Sequence, residues 1–294
     1  MCAKQYRGSV GDRADGRRIR SLNGFYSFTP YIMAQRDDAQ NFYEQTFEVT
    51  NADRWFRRMR AEGYKGIGML HLFTAAYVRA VAELPALNRF VVGRRIYAHD
   101  NIEVVMAVKK NLSLDADETT IKTEFEPTDT IFDVYDKMNE KIDEVKSSDD
   151  ANSTEDFANK LLKLPRFLIR LIVWLLKVCD YFGLLPKSLL DISPFHGSMI
   201  ITDMGSLGIG PIYHHIYNFG TLPVFISFGA RRRGYELNRS GELVERRYVD
   251  AKFVLDERIC DGLYYAAVFK LMSRYIADPS LLEVPPEVVN EDIP

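Results

Sequence analysis

The chain has 294 residues, with 38 Lys and Arg against 41 Asp and Glu and a formal net charge of -3. Hydrophobic residues are 47% and aromatic residues 12%, enough for a real core, which excludes a disordered chain, a collagen-like repeat and a disulfide scaffold. So near-neutral a balance argues against a dedicated nucleic-acid binder, and no nucleic-acid partner is expected.

Residues 1–20 are polar and rich in Gly and Arg and read as an irregular arm. Tyr43–Thr50 has strand character, and Asn51 or Asp53 is placed to cap a helix running to about Ala61. Gly66–Leu84 reads as a buried helix stopped by Pro85. A block of period close to 2 follows, with strands at Arg89–Val92, Arg95–His99 and Ile102–Lys109 and Gly93 in the first turn. Thr119–Glu126 is a further strand. Asp129–Val145 is an amphipathic helix with Ile131, Val134, Tyr135, Met138, Ile142 and Val145 on one face. Ser147–Glu155 reads as a loop. Ser198–Thr202 and Leu222–Phe228 are strands, Arg231–Tyr248 is a hairpin around Asn238–Gly241, Ala251–Leu255 is a strand, and a last helix covers Gly262 to about Ala277. Helices and hairpins alternate irregularly and no repeat is visible, which gives an α/β class with a mixed sheet.

Leu161–Leu190 is strongly apolar. Pro165 can start a helix there, and Gly183 with Pro186 can end it. At about 100° per residue, Arg166, Arg170, Lys177 and Asp180 fall near 0°, 40°, 20° and -40°, a polar stripe about 80° wide. Its longest uncharged run, Leu171–Leu176, is too short for a membrane span, which takes about 20 apolar residues. Three readings stay open: burial in the fold or against another subunit, a helix lying in a membrane interface, or the wall of a substrate tunnel.

Asp256-Glu257-Arg258-Ile259-Cys260-Asp261-Gly262 follows a strand and opens a helix. This stretch resembles the C-terminal signature Asp-His-Arg-x-x-Asp-Gly of the acyltransferase component of 2-oxoacid dehydrogenase complexes, whose fold chloramphenicol acetyltransferase shares, with Glu257 at the His position. The likeness extends to Ser198–Gly208, Thr221–Ala230, Gly241–Val249, Pro85-Ala86-Leu87-Asn88 and Arg95–Lys109, and covers about residues 20–145 and 195–283. It implies a two-layer α/β sandwich of the chloramphenicol acetyltransferase type over 21–283, with a helical insertion at about 150–194 and a tail at 284–294. It also implies a trimer, or a multiple of trimers, with the active site between subunits, coenzyme A or acyl-CoA as substrate, and the acyl carrier entering from the other side. By position, Thr202 takes the role of the hydroxyl that stabilises the oxyanion. Asp203 replaces the usual Ser or Asn. Asp261 is the structural aspartate, with Arg18 or Arg20 as its expected partner.

With a thiol pKa near 8.5, Glu257 as general base faces a proton transfer about 3 kcal/mol more uphill than a His does, from its ordinary value near 4.3. Burial could close that gap. In the other reading Glu257 only holds Arg258 or a neighbour, and the protein is a pseudoenzyme. His196, just before the Thr202 strand, is a candidate substitute base, although a satisfied loop histidine is the commoner case. Adjacent His214 and His215 would point opposite ways on a strand, and His71 reads as a core residue. Cys260 lacks a neighbouring base. Arg231–Arg233 could hold phosphates but sits at a hairpin base. Gly205–Gly210 follows a strand without leading into a helix bearing Lys, which speaks against a nucleotide site.

The sequence contains no lipoyl domain, subunit-binding domain or Ala/Pro-rich linker, so a separate acyl-carrier protein or free acyl-CoA must bring the acyl group. Cys2, Cys179 and Cys260 form no disulfide or zinc pattern, and no metal is expected. No apolar signal segment precedes the polar arm, so a cytoplasmic location is expected, where the sequon Asn152-Ser153-Thr154 carries no meaning. A non-catalytic trimeric or cage-forming scaffold subunit, in which the insertion serves assembly or attachment to a membrane surface through 161–190, is the alternative function.

Overall fold

The computed structural model describes residues 9–109, 118–147, 161–238 and 240–294. The Asn152 sequon and the greater part of the Ser147–Glu155 loop lie outside the described residues.

Two sheets form. The smaller has the order β1(Gly16–Arg18)-β4(Arg95–His99)-β3(Arg89–Val92). The arm expected to be irregular therefore supplies a strand, antiparallel to β4. Arg13, Arg17 and Ile19 around it are buried. Gly93 and Arg94 turn between β3 and β4, both at positive φ (59° and 60°), the conformation of a two-residue hairpin turn.

The larger sheet has the order β2(Gln40–Glu48), β10(Leu243–Asp256), β8(Val224–Phe228), β7(Met199–Asp203), β5(Ile102–Lys109), β6(Glu118–Phe125), with β9(Arg232–Leu237) on the first half of β10. The hairpin and strand expected separately at 231–248 and 251–255 share β10, whose first half pairs with β9 and second half with β8. The sheet is mixed, since β7 runs parallel to both β5 and β8.

Alternation assigns the two faces. Phe47, Phe253, Val224, Ile226, Ile201 and Val104 belong to the main core, which packs against α2(Thr50–Ala61), α3(Met69–Glu83), α4(Ile131–Ser147) and α7(Gly262–Ala277). Burial on both sides explains why α3 is apolar nearly all round. Val105, Ile200, Phe225 and Val254 point to the other face, where Ile216 and Leu222 from the irregular segment 208–223 cover them. Ser227 anchors that segment, its Oγ accepting from the Ile212 N–H.

The structure adds α1(Gly24–Ile32) and α6(Lys187–Ile192), which the sequence pattern does not announce. The long apolar segment forms α5(Arg166–Tyr181), whose only buried residue is Asp180. Within one chain it is not a core helix: Phe167 is 70% and Trp174 58% exposed. Residues 284–294, expected as a tail, are tied down. Asp292 pairs with Arg89, and Pro294 O accepts from the Arg20 and Ser21 N–H groups.

Candidate functional site

The turn after β10 is built around Asp256, which is fully buried. Its carboxylate accepts from Arg258 Nε at 2.8 Å and Nη2 at 2.7 Å and from Arg36 Nε at 3.3 Å. Arg36 donates further to the carbonyls of Tyr217, Val91 and Gly220, and Arg258 to that of Met33. Burial pushes the Arg36 guanidinium below its ordinary value, with Asp256 opposing. This network corrects one expectation, because Arg258 is held by Asp256 and not by Glu257.

Glu257 is exposed, whereas Asp256, Arg258, Ile259 and Cys260 around it are buried. Its position is set by the backbone, where its N–H donates to Ala39 O at 2.8 Å. The burial invoked to favour it as a base is not supplied by a single chain. Residues on its two sides in sequence line different cavities. Arg258, with Arg36, Arg94, Lys177 and Asp180, lines one of about 350 Å³. Cys260 and Asp261, with Tyr26, Arg89 and Tyr264, line one of about 390 Å³. Burial pushes the Cys260 thiol up to about 12, which removes it as a nucleophile at neutral pH.

Asp261 caps α7. Its carboxylate accepts from the Tyr264 N–H and the Tyr26 hydroxyl, both at 2.8 Å, and these bonds hold it below the usual carboxylate range. The expected arginine partner is not there. Arg20 pairs with Asp12, and Arg18 donates its backbone N–H to the same carboxylate.

Thr202 lies on the sheet face away from the main helices. Its Oγ1 is 3.3 Å from His214 Nε2, and the imidazole stacks on Phe225 with centroids 4.3 Å apart. His215 packs edge-on to Tyr217 instead. Asp203 points to the opposite face and caps the following turn, accepting from the Ser206 N–H at 2.9 Å. Burial raises its carboxyl above the usual range, against the N–H groups of Ser206 and Gly205. Its geometry is that of a cap, turned away from the face that carries Thr202.

The structure does not bring Thr202 and Glu257 together in one chain. Thr202 is in register with Ser227, and Ser227 with Lys252. Glu257 is five residues further on, roughly 16 Å along the strand direction and two strand spacings of about 4.8 Å across. His196 reaches neither. It is buried, with Nδ1 2.7 Å from Ser193 Oγ and Nε2 3.3 Å from Asp180 Oδ1. Burial alone would raise the Asp180 carboxyl, but His196 and Arg13 hold it below the usual range.

His71 is a core histidine, accepting from the Gly68 N–H. Arg231, Arg232 and Arg233 pair with Asp53, Asp250 and Glu245, so the triple arginine is committed to surface ion pairs. The residue that sequence reasoning set aside is His214. Its only signal was adjacency to His215, because its contact with Thr202 depends on 208–223 folding back over β8.

No protein-family model and no curated protein matches this sequence. Solved structures do. A probable dihydrolipoamide acetyltransferase from Listeria monocytogenes is 14% identical with a TM-score of 0.57, covering 91% of this chain and 95% of its own. The cubic core of a pyruvate dehydrogenase multienzyme complex is 12% identical at 0.57, covering 90% and 94%. A chloramphenicol acetyltransferase is 13% identical at 0.55, covering 89% and 99%. The chain thus has the chloramphenicol acetyltransferase-like α/β fold.

Proposed function

We propose that the chain binds coenzyme A or an acyl-CoA and handles acyl groups at a site completed between copies, with transfer weak or absent. The observation that carries this is the turn at 256–261, whose buried arginine–carboxylate network presents Glu257 where the resembled motif places its base. Thr202, the other half of the site, lies too far away on the same sheet to meet it. A neighbouring copy must close the gap, and a trimer or a multiple of trimers is the assembly proposed.

In that site the attacking thiol gives its proton to a base as its sulfur bonds to the thioester carbonyl. The Thr202 hydroxyl donates to the resulting oxyanion. Collapse expels the second thiolate, which takes the proton back. Glu257 is the base by position, and His214 places an imidazole beside Thr202. The acyl group arrives on a separate carrier protein or as free acyl-CoA.

Calorimetric titration with coenzyme A and acetyl-CoA tests the reading. Micromolar binding is expected, and no heat at millimolar ligand overturns it. In a thioester-exchange assay Glu257→His should raise turnover about a hundredfold, the rate equivalent of some 3 kcal/mol. A second reading, a non-catalytic trimeric or cage-forming scaffold, is favoured by the aromatic surface of α1, where Phe25 is 79% and Phe28 57% exposed. It predicts the same oligomer with no ligand binding.

A further inference from the structure

We propose that α5 seats the molecule on an anionic lipid surface, lying in the plane of the headgroups with its outer half against the bilayer. At about 100° per residue from Arg166, the cations Arg166, Lys177 and Arg170 fall near 0°, 20° and 40°. Immediately beside them Tyr181, Trp174, Phe167, Leu171 and Leu175 fall near 60° to 180°. All eight residues are exposed. The opposite side, with Leu168, Ile172, Leu176 and Ile169, is half-buried against the protein. The helix's one acid, Asp180, is turned inward and paired with Arg13 at 2.8 Å. The polar stripe read from the sequence is thereby split into a cationic strip facing out and an anionic anchor facing in.

Charge decides the occupant. From 161 to 184 the exposed charges are Lys163, Arg166, Arg170 and Lys177, all positive, in a chain whose formal net charge is -3. At the rim of the adjoining cavity Arg94, also exposed, adds one more cation to the same side. The core of a protein–protein contact takes aromatic residues and Arg but is depleted of Lys and of charge as a whole, whereas this face carries a one-signed row that includes Lys163 and Lys177. A row of cations flanking an apolar strip with an interfacial Trp is what acyl chains and headgroup phosphates accept together. On the other side of the Gly93–Arg94 turn α1 adds apolar surface: Arg94 lies over the Tyr31 ring at 5.6 Å, while the Tyr181 carbonyl sits above Gly93. No helix among the described residues is long and apolar enough to cross a membrane, so the contact is with the surface.

The test is co-sedimentation of the intact protein with phosphatidylcholine vesicles, with and without one-third phosphatidylglycerol. The protein should pellet with the anionic vesicles, stay largely in the supernatant with neutral ones, and be released by 0.5 M salt. Of the chain's two tryptophans, Trp55 is buried and Trp174 exposed, so a blue shift on binding reports α5. Near an anionic surface each cation is worth about fivefold in partitioning. The triple variant R166E/R170E/K177E should lose more than a hundredfold, and F167S/W174S should lose binding with an unchanged melting midpoint. The proposal is overturned if the protein ignores anionic vesicles or if the charge-reversed variant binds as well as the parent. It is also overturned if F167S/W174S dissociates an oligomer in solution, which would make this face a contact between copies.

Discussion

The carboxylate of Asp256 neutralises one of the two guanidiniums that enclose it, and both are buried. Removing one partner of such a cluster leaves charge stranded in a low-dielectric site. Asp256→Ala should therefore cost about 3–5 kcal/mol in urea unfolding, and a loss under 1 kcal/mol would show that the arginines find other partners. His71 supplies a pH signature. Burial lowers its imidazole from 6.5 to about 4, so it folds neutral. Its contribution is fully present above pH 6.5 and is lost as the pH falls toward 4, because the unfolded chain takes up the proton first. Between pH 7.5 and pH 5 the parent should lose about 2 kcal/mol that His71→Leu does not, read from urea midpoints at the two values. The imidazole beside Thr202 is separable from Glu257 by kinetics. If Glu257 is the base, Glu257→Ala abolishes thioester exchange; if exchange survives that change and vanishes in His214→Ala, the base is on the oxyanion side.

Elements with a single dominant period were legible. α3, α4, α7 and strands β3 to β6 lie within a few residues of where apolar spacing and flanking Pro or Gly place them. α1 was not, because GFYSFTPYI has Pro30 inside it and exposes most of its aromatic residues, leaving no amphipathic period to read. For α5 the period was legible but the inward side was not. Its orientation is set by Arg13, 167 residues away in sequence, donating to Asp180, and helical spacing carries no record of such a partner. The anchor makes a prediction at this scale. Asp180→Ala should raise hydrogen exchange across 166–181 while the amides of β5 and β7 stay protected, as expected of a locally opening unit. Equal protection in the variant would mean that the half-buried apolar side alone holds the helix. Gly93→Ala attacks the same seam, because a Cβ there would run into the Tyr181 carbonyl, at a φ of +59°.

As a whole, the molecule has a thick helical layer on one side of its large sheet, and on the other the irregular segment 208–223 together with α6, whose Leu190 carbonyl accepts from Lys122 Nζ at 2.6 Å. Light scattering should give a multiple of three times 33.8 kDa, and a monomer would leave Thr202 and Glu257 permanently apart. Where turnover is measurable, mixing inactive Thr202→Ala and Glu257→Ala copies should restore a fraction of it, since some contacts then join an intact hydroxyl to an intact carboxylate. No recovery would place the chemistry inside one chain. The fastening around Asp256 joins residues 33–36, 217–220 and 256–258 without using the side chain at 257. That position is a mount whose bolts lie elsewhere: its occupant can be exchanged with little structural penalty, so a lineage or a protein engineer could silence or rearm the site by changing one residue while the architecture around it stays intact.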